Sequence, residues 1–297
     1  MPRLVECVPN VSEGRRGDVI DRLADTIRAV NGVRLLDHTA DADHNRSVFT
    51  YAGEPEPVIA ATHALVDRAY REVDMRSHKG EHPRLGAVDV VPFVPLAGVT
   101  MDECVDIARR FGTEVAERHD VPVFFYARAA TRPERVRLPD IRKPEYEGLA
   151  ALIDTTHVPD AGPRRLHPTA GAIVVGARPF LIAFNIELDT TDLKLAQRIA
   201  KEIRESSGGL PAIQARGFML TDPARAQVSM NVLDFTTTSL STVWHEVESR
   251  ANAAGVRVLR GELIGLIPLD AMLEVGAHAL RLEGFTRDRV IESHFLE

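Results

Sequence analysis

From Leu4 onward the apolar residues switch between the two-residue period of a strand and the 3.6-residue period of a helix, and that order restricts the fold more than any single motif does. LVECVP reads as a strand, residues 16–30 as a helix with Ile20, Leu23, Ile27 and Val30 on one face, and residues 33–37 as a strand. A loop rich in Asp and His leads to a strand at 47–51, a helix at 57–73 and a strand at 87–94. The predicted order is β-α-β-β-α-β, extended by a helix over 101–119 and a strand in VPVFFYA from Val121.

Residues 132–165 carry Pro, Arg, Asp and Glu with little periodicity, so the seam between two subdomains is expected there, at 165/166. Beyond it the order repeats. A strand pair at 172–175 and 180–188 precedes a helix whose first amides the cluster Asp189-Thr190-Thr191-Asp192 can cap. Strands at 212–220 and 227–235, a helix at 242–254 and a strand at 256–268 follow. The expected class is α+β: two subdomains of β-α-β-β-α-β type, 1–165 and 166–297, each a sheet with helices on one face. A cleft between such halves is a natural ligand site.

Composition excludes several functions. With 44% hydrophobic and 27% charged residues in 297, disorder is not expected. A net charge of −7 gives no bulk basic field for nucleic acid. No run of about 18 apolar residues occurs and MPRLVECVPN has no signal-like core, so membrane insertion and export lack support and the cytoplasm is expected. Cys7 and Cys104 sit in apolar runs and read as buried thiols of a reducing compartment.

Three polar stretches stand out. VPNVSEGRRGD places Asn10, Ser12 and Glu13 between a strand and a helix, where free amides can hold an anion or where Ser12 and Asp18 can simply cap the helix. DHTADADHNRS, residues 37–47, concentrates acids, His38 and His44, but the spacing matches no zinc pattern, and no metal is expected. SHKGEHPRLG, residues 77–86, sets His82 before a proline, which keeps its backbone extended, with Lys79 and Arg84 nearby to hold a carboxylate. A loop histidine that touches nothing is the usual case. A neutral imidazole among cations can also accept a proton and return it. LHPTAG, residues 166–171, repeats the His-Pro and late-Gly character behind Arg164 and Arg165.

LVECVPNVSEG, HNRSVFTYAG, HKGEHPRLGAVDVVPFVP, VGARPFLIAFNIEL, AQVSMNVLDF and GELIGLIPL, in that order across nearly the whole chain, resemble the formiminotransferase domain of glutamate formimidoyltransferase. The resemblance implies transfer of the formimino group of N-formimidoyl-L-glutamate to N5 of tetrahydrofolate, a step of histidine breakdown, with folate as co-substrate between two subdomains. It implies small-molecule partners and a homodimer, and no membrane. The chain ends at Glu297, leaving no room for the cyclodeaminase domain of longer members. The catalytic histidine falls at His82. The folate loop falls at Gly162, Pro163, Arg164, Arg165, Leu166, His167, Pro168, Thr169, Ala170 and Gly171. Lys79, Arg84 and Arg46 are the candidates for substrate carboxylates.

Two departures from the family pattern bear on the site. Ala170 stands where an aromatic can occur, and Thr39 where some members carry an acid, leaving Asp41 or Asp43 as substitutes. One histidine acting in both directions needs an acidity near the working pH, with Glu81 favouring the charged ring and Lys79 and Arg84 disfavouring it. Two other functions fit the same residues: a folate-dependent enzyme with another one-carbon donor, N-formylglutamate or 5-formyltetrahydrofolate, and a folate-binding protein without catalysis.

Overall fold

The alternation of buried and exposed residues sorts the strands into two sheets in the computed structural model of the chain, which describes residues 2–294. One compact unit ends at Arg178 and the other begins at Pro179. The first runs β1 (Leu4–Cys7), β2 (Asn10–Val11), α1 (Gly17–Arg28), β3 (Val33–Asp41), β4 (Arg46–Gly53), α2 (Pro55–Glu72), β5 (Val88–Ala97), α3 (Met101–His119), β6 (Val123–Ala127), α4 (Leu138–Arg142), α5 (Glu145–Leu149) and β7 (Ile173–Ala177). Its seven strands share one sheet. β1 and β2 pair antiparallel with both β4 and β5, β3 lies outside β4, and β7 runs parallel to β5 and β6.

Helices α1, α2 and α3 pack on the sheet face that presents Val5, Cys7, Phe49, Tyr51, Phe93 and Val175. α1 shows why: Val19, Ile20, Leu23, Ala24 and Ile27 fall on one stripe and are all buried. Full burial of Leu23 and Ile27 is worth on the order of 2 kcal/mol each. α3 starts where Thr100 and Glu103 form a reciprocal capping box. Cys7 and Cys104 are free and buried.

Residues 132–165 are not a linker. They form α4 and α5 and cover the opposite face of β5, β6 and β7, where Ile141 and Leu149 meet Val90, Phe124, Tyr126 and Val174. Nor does the strand at 172–175 open the second unit: β7 joins the first sheet beside β5 and β6, so the seam falls after Arg178 and not at 165/166. The physical reason is that β7 is a five-residue apolar strand buried on both faces, and such a run does not show which sheet it enters.

The second unit runs β8 (Ile182–Leu188), α6 (Leu193–Ile203), β9 (Ile213–Thr221), β10 (Ala224–Val232), α7 (Leu240–Ala253), β11 (Val258–Ile264) and α8 (Leu269–Leu280). Its antiparallel sheet has the order β11-β8-β10-β9. This is the β-α-β-β-α-β order with a further helix, α8, absent from the expectation. Asp192 caps α6 by accepting from the amides of Lys194 and Leu195, as the acid and threonine cluster suggested. α6 and α7 bury Leu195, Ile199, Ile203, Val243 and Val247 against Ile186, Val228 and Met230.

Candidate active site

β3 continues through Asp41 and β4 starts at Arg46, so the expected loop at 37–47 shrinks to a four-residue turn. That turn sets the site. Asn45 takes the left-handed conformation, φ 48°, which asparagine tolerates. Its Oδ1 accepts from the Gly14 amide at 2.9 Å and its Nδ2 donates to the Lys79 carbonyl at 3.0 Å. One buried side chain thus ties together the β2–α1 turn, the β3–β4 turn and the His82 loop. Gly80 lets them close, because a Cβ there would lie 2.2 Å from the His44 carbonyl oxygen.

Within this junction Ser12, His44, Arg46, His78, His82, Arg84 and Asp89 line one small cavity. Arg46 Nη1 lies 2.7 Å from His82 Nε2. Guanidinium nitrogens only donate, which assigns Nε2 as acceptor and puts the proton of the neutral ring on Nδ1. The His44 ring meets that of His82 edge-on, centroids 6.1 Å apart. Its own Nδ1 donates to Asp41 Oδ2 at 2.8 Å. Asp41, not Thr39 or Asp43, is therefore the acid joined to the site. Although burial acts to raise it, hydrogen bonds from the His44 amide and ring hold the Asp41 carboxyl below its usual range.

His82 is the strongly perturbed histidine. Burial first, then the positive charges of Arg46 and Arg142, push its ring down to about 3, with a hydrogen bond to the Pro83 backbone pulling the other way. The leading causes are not Glu81, Lys79 and Arg84, the neighbours weighed from the sequence, whose opposed effects fixed no shift. The charges that matter come from β4 and α4. In the ligand-free protein His82 is a neutral acceptor whose lone pair is already occupied.

The three carboxylate candidates separate. Lys79 is exposed and outside the cavity lining. Arg84 is buried and already engaged: Nη2 meets Glu147 Oε1 at 2.5 Å, Nη1 meets Glu147 Oε2 at 2.9 Å, and Nε donates to His78 Nδ1 at 3.2 Å. It holds the loop. Arg46 has no carboxylate oxygen within 4.0 Å among the described residues, and its Nε is sealed from solvent without a partner. A guanidinium nitrogen sealed from water without a partner is costly, which sets Arg46 apart from Arg84.

Sequence reasoning missed Asp89 and Arg142. Asp89 is buried in β5, accepts from the Leu85 amide at 2.8 Å and pairs with Arg142 of α4, which fixes the start of the strand behind His82. An acid inside the apolar run AVDVVPF was the available signal. The turn after β2 holds no anion: Glu13 accepts from the amides of Arg15 and Arg16, both at 2.9 Å, so the protein's own carboxylate fills the place and neither Ser12 nor Asp18 is the cap. Among the described residues no group of three His, Cys, Asp or Glu is arranged to hold a metal ion.

The loop at 162–171 runs beside the His82 loop without lining the cavity. The Ala87 amide donates to the Ala170 carbonyl at 2.9 Å, the Ala172 amide to the Leu85 carbonyl at 3.0 Å, and the Met75 amide to the Thr169 carbonyl at 2.8 Å. Gly171 is required at this contact: its φ is +74° and a Cβ would lie 2.4 Å from the Leu85 carbonyl oxygen. Ala170 is fully buried in the main core. His167 turns inward, accepting the Ala170 amide at 2.9 Å and stacking on Tyr70. Leu166 packs against the smaller core. Gly162, Arg164, Arg165 and Pro168 are exposed, Pro163 is half-buried, and Arg165 pairs with Asp120.

An imidazole acceptor, a half-buried arginine bonded to it and a glycine-closed loop junction are thus brought together on the sheet of an α+β unit. The chain belongs to the formiminotransferase family: the family model of the formiminotransferase domain, N-terminal subdomain, matches residues 4–178, and that of the formiminotransferase domain matches residues 183–292. Glutamate formimidoyltransferase of Streptococcus pyogenes serotype M1 is 43% identical over 298 residues, covering 100% of both chains. That of Thermoplasma acidophilum is 40% identical over 292 residues, covering 97% of this chain and 96% of its own. The formimidoyltransferase-cyclodeaminase of Rattus norvegicus is 45% identical over 284 residues, where this chain spans 52% of its length.

Proposed function

We propose that the chain is a glutamate formimidoyltransferase, moving the formimino group of N-formimidoyl-L-glutamate to N5 of tetrahydrofolate, with His82 as the proton shuttle. The observation that carries the reading is the contact between Arg46 Nη1 and His82 Nε2, a neutral base set against an arginine that lacks an acid. The tetrahydrofolate N5 lone pair attacks the amidine carbon, forming the new C–N bond, and the N5 proton passes to Nε2. The imidazolium then gives its proton to the glutamate nitrogen as the old C–N bond breaks, and glutamate departs as an amine with the bonding pair. Proton transfer of this kind supplies about 10² to 10⁴ in rate. Arg46 receives a carboxylate of the donor, and Arg84, through Glu147, keeps the loop in place.

Folate binding is assigned to residues 162–171, supported by their fixed course beside the His82 loop and by the exposed Arg164 and Arg165. Cytoplasmic location is in keeping with two free, buried thiols and with the lack, among the described residues, of any helix long and apolar enough to cross a membrane. A homodimer is supported by exposed apolar residues in the second unit, among them Leu263, Ile264, Leu266 and Met272. Product analysis tests the function: protein mixed with tetrahydrofolate and N-formimidoyl-L-glutamate should release glutamate and formimino-folate in equal amounts. Release of neither, or transfer from N-formylglutamate in its place, overturns the proposal.

A further inference from the structure

A base at about 3 is poorly matched to accepting an amine proton near neutrality, and its lone pair is covered as well. The same two residues indicate how the mismatch is removed. Arg46 reaches His82 from the first residue of β4 with one nitrogen engaged and Nε buried and unpartnered, while the two acids whose charge acts on it, Asp41 and Asp89, are committed elsewhere. Asp41 is held by His44, and Asp89 by Arg142 and the Leu85 amide. A carboxylate brings opposite charge and two oxygens that can take a guanidinium through two parallel bonds, where an imidazole offers one neutral acceptor. An entering carboxylate therefore outcompetes the imidazole for Arg46.

We infer that Arg46 is a carboxylate-operated cover on His82: in the ligand-free protein it occupies Nε2, and a carboxylate of the glutamate moiety draws it away, exposing the lone pair only when donor is bound. The inference rests on the proposed reaction and adds to it the specificity step. Arg46 then touches the donor's carboxylate directly and, by leaving Nε2, frees His82 to take the proton.

The groups facing His82 define what should move. From β4 comes Arg46; from the β3–β4 turn, His44 with Asp41 behind it; from α4, Arg142; from β5, Asp89; and from its own loop, His78 and Arg84. Arg142, Arg84 and Asp41 already have partners within the protein, so a carboxylate at Arg46 changes the balance at one point. Pairing Arg46 with an anion cancels the nearest positive charge and places a negative one near the ring. Opposite charge at such distances raises an imidazole by about 1 to 3 pH units.

Nitrogen-15 NMR of histidine-labelled protein tests this, with His82→Gln identifying the His82 signals and L-glutamate as the probe, its occupancy read by calorimetry. In wild type without ligand the ring should stay neutral, proton on Nδ1, from about pH 5 to 8, a span that brackets the ordinary histidine value. Saturating L-glutamate should change the Nε2 resonance and move the protonation midpoint up by about one unit or more. In Arg46→Gln, and in Arg46→Lys as a second variant that keeps charge without the fork, the ring without ligand should titrate higher in Gln than in Lys. L-glutamate should then shift the Gln variant little. A ligand-free wild-type ring titrating in the ordinary range, a ring indifferent to L-glutamate, L-glutamate that does not bind, or an equal response in Arg46→Gln overturns the inference. Turnover is scored separately. Product formation with an indifferent ring removes this inference alone, and a responsive ring without product removes the proposed reaction alone.

Discussion

His82→Gln should flatten the acid side of the first unit's stability profile. The folded ring sits at about 3 against an ordinary value of 6.5. Its folded value is depressed, so the unfolded chain binds the proton first and stability falls as pH drops below about 6.5, levelling off only near 3. At pH 5 the unfolded imidazole is nearly all charged and the folded one nearly all neutral, which costs about 2 kcal/mol; at pH 7.5 the cost is about zero. Glutamine keeps an acceptor for Arg46 and does not titrate. His78, His119, His157 and His167 are also held below the ordinary value, chiefly by burial, but they contribute to wild type and variant alike and cancel in the difference. The four tyrosines, Tyr51, Tyr70, Tyr126 and Tyr146, lie before Arg178 and the single tryptophan, Trp244, after it, so tyrosine absorbance follows the first unit and tryptophan fluorescence the second during urea unfolding. Between pH 7.5 and 5 the variant should gain about 2 kcal/mol on wild type in the tyrosine transition and none in the tryptophan transition. Parallel profiles in the tyrosine transition would refute a depressed, neutral His82.

Three further outcomes follow from the same geometry. Arg135 and Asp160 are both nearly inaccessible, and Asp160 also accepts from the Phe125 amide, so Asp160→Asn should cost about 3 to 5 kcal/mol in the tyrosine-monitored transition; a loss under about 1 would mean the pair is not buried. Gly171→Ala meets both positive φ and the Leu85 carbonyl, and should lower stability by about 2 kcal/mol or more while loosening the His82 loop; an unchanged midpoint would contradict the contact. Arg164→Gln with Arg165→Gln should raise the apparent folate constant more for polyglutamylated folate than for the monoglutamate, because added carboxylates supply partners for exposed guanidinium groups; equal effects would place the arginines outside the site.

The helix expected over 101–119 is α3 to the residue; Thr100 and Glu103 cap its start and an apolar stripe fixes its buried face. The β-α-β-β-α-β order of both units was legible for the same local reason. What was not legible is pairing at long range. β7 enters the first sheet by parallel contacts with strands distant in sequence, and residues 138–149 become short helices only because the apolar face of β5, β6 and β7 needs a cover. The site divides likewise. His82 was marked by the proline after it and by the family resemblance. Arg46 and Arg84 look equivalent in sequence; one is engaged by Glu147 and the other left with His82, and only the fold separates them. Asp89 and Arg142 act from behind the site across 53 positions of sequence.

The central claim is that His82 carries the proton in formimino transfer. The direct measurement is kcat for formimino-folate formation by wild type and His82→Ala under saturating substrates near pH 7.5, with folate affinity measured on the same samples. The account predicts a fall of about 10² or more in kcat with folate affinity nearly intact. A fall of less than about tenfold, below the usual contribution of a general acid and base, would assign the proton to another group.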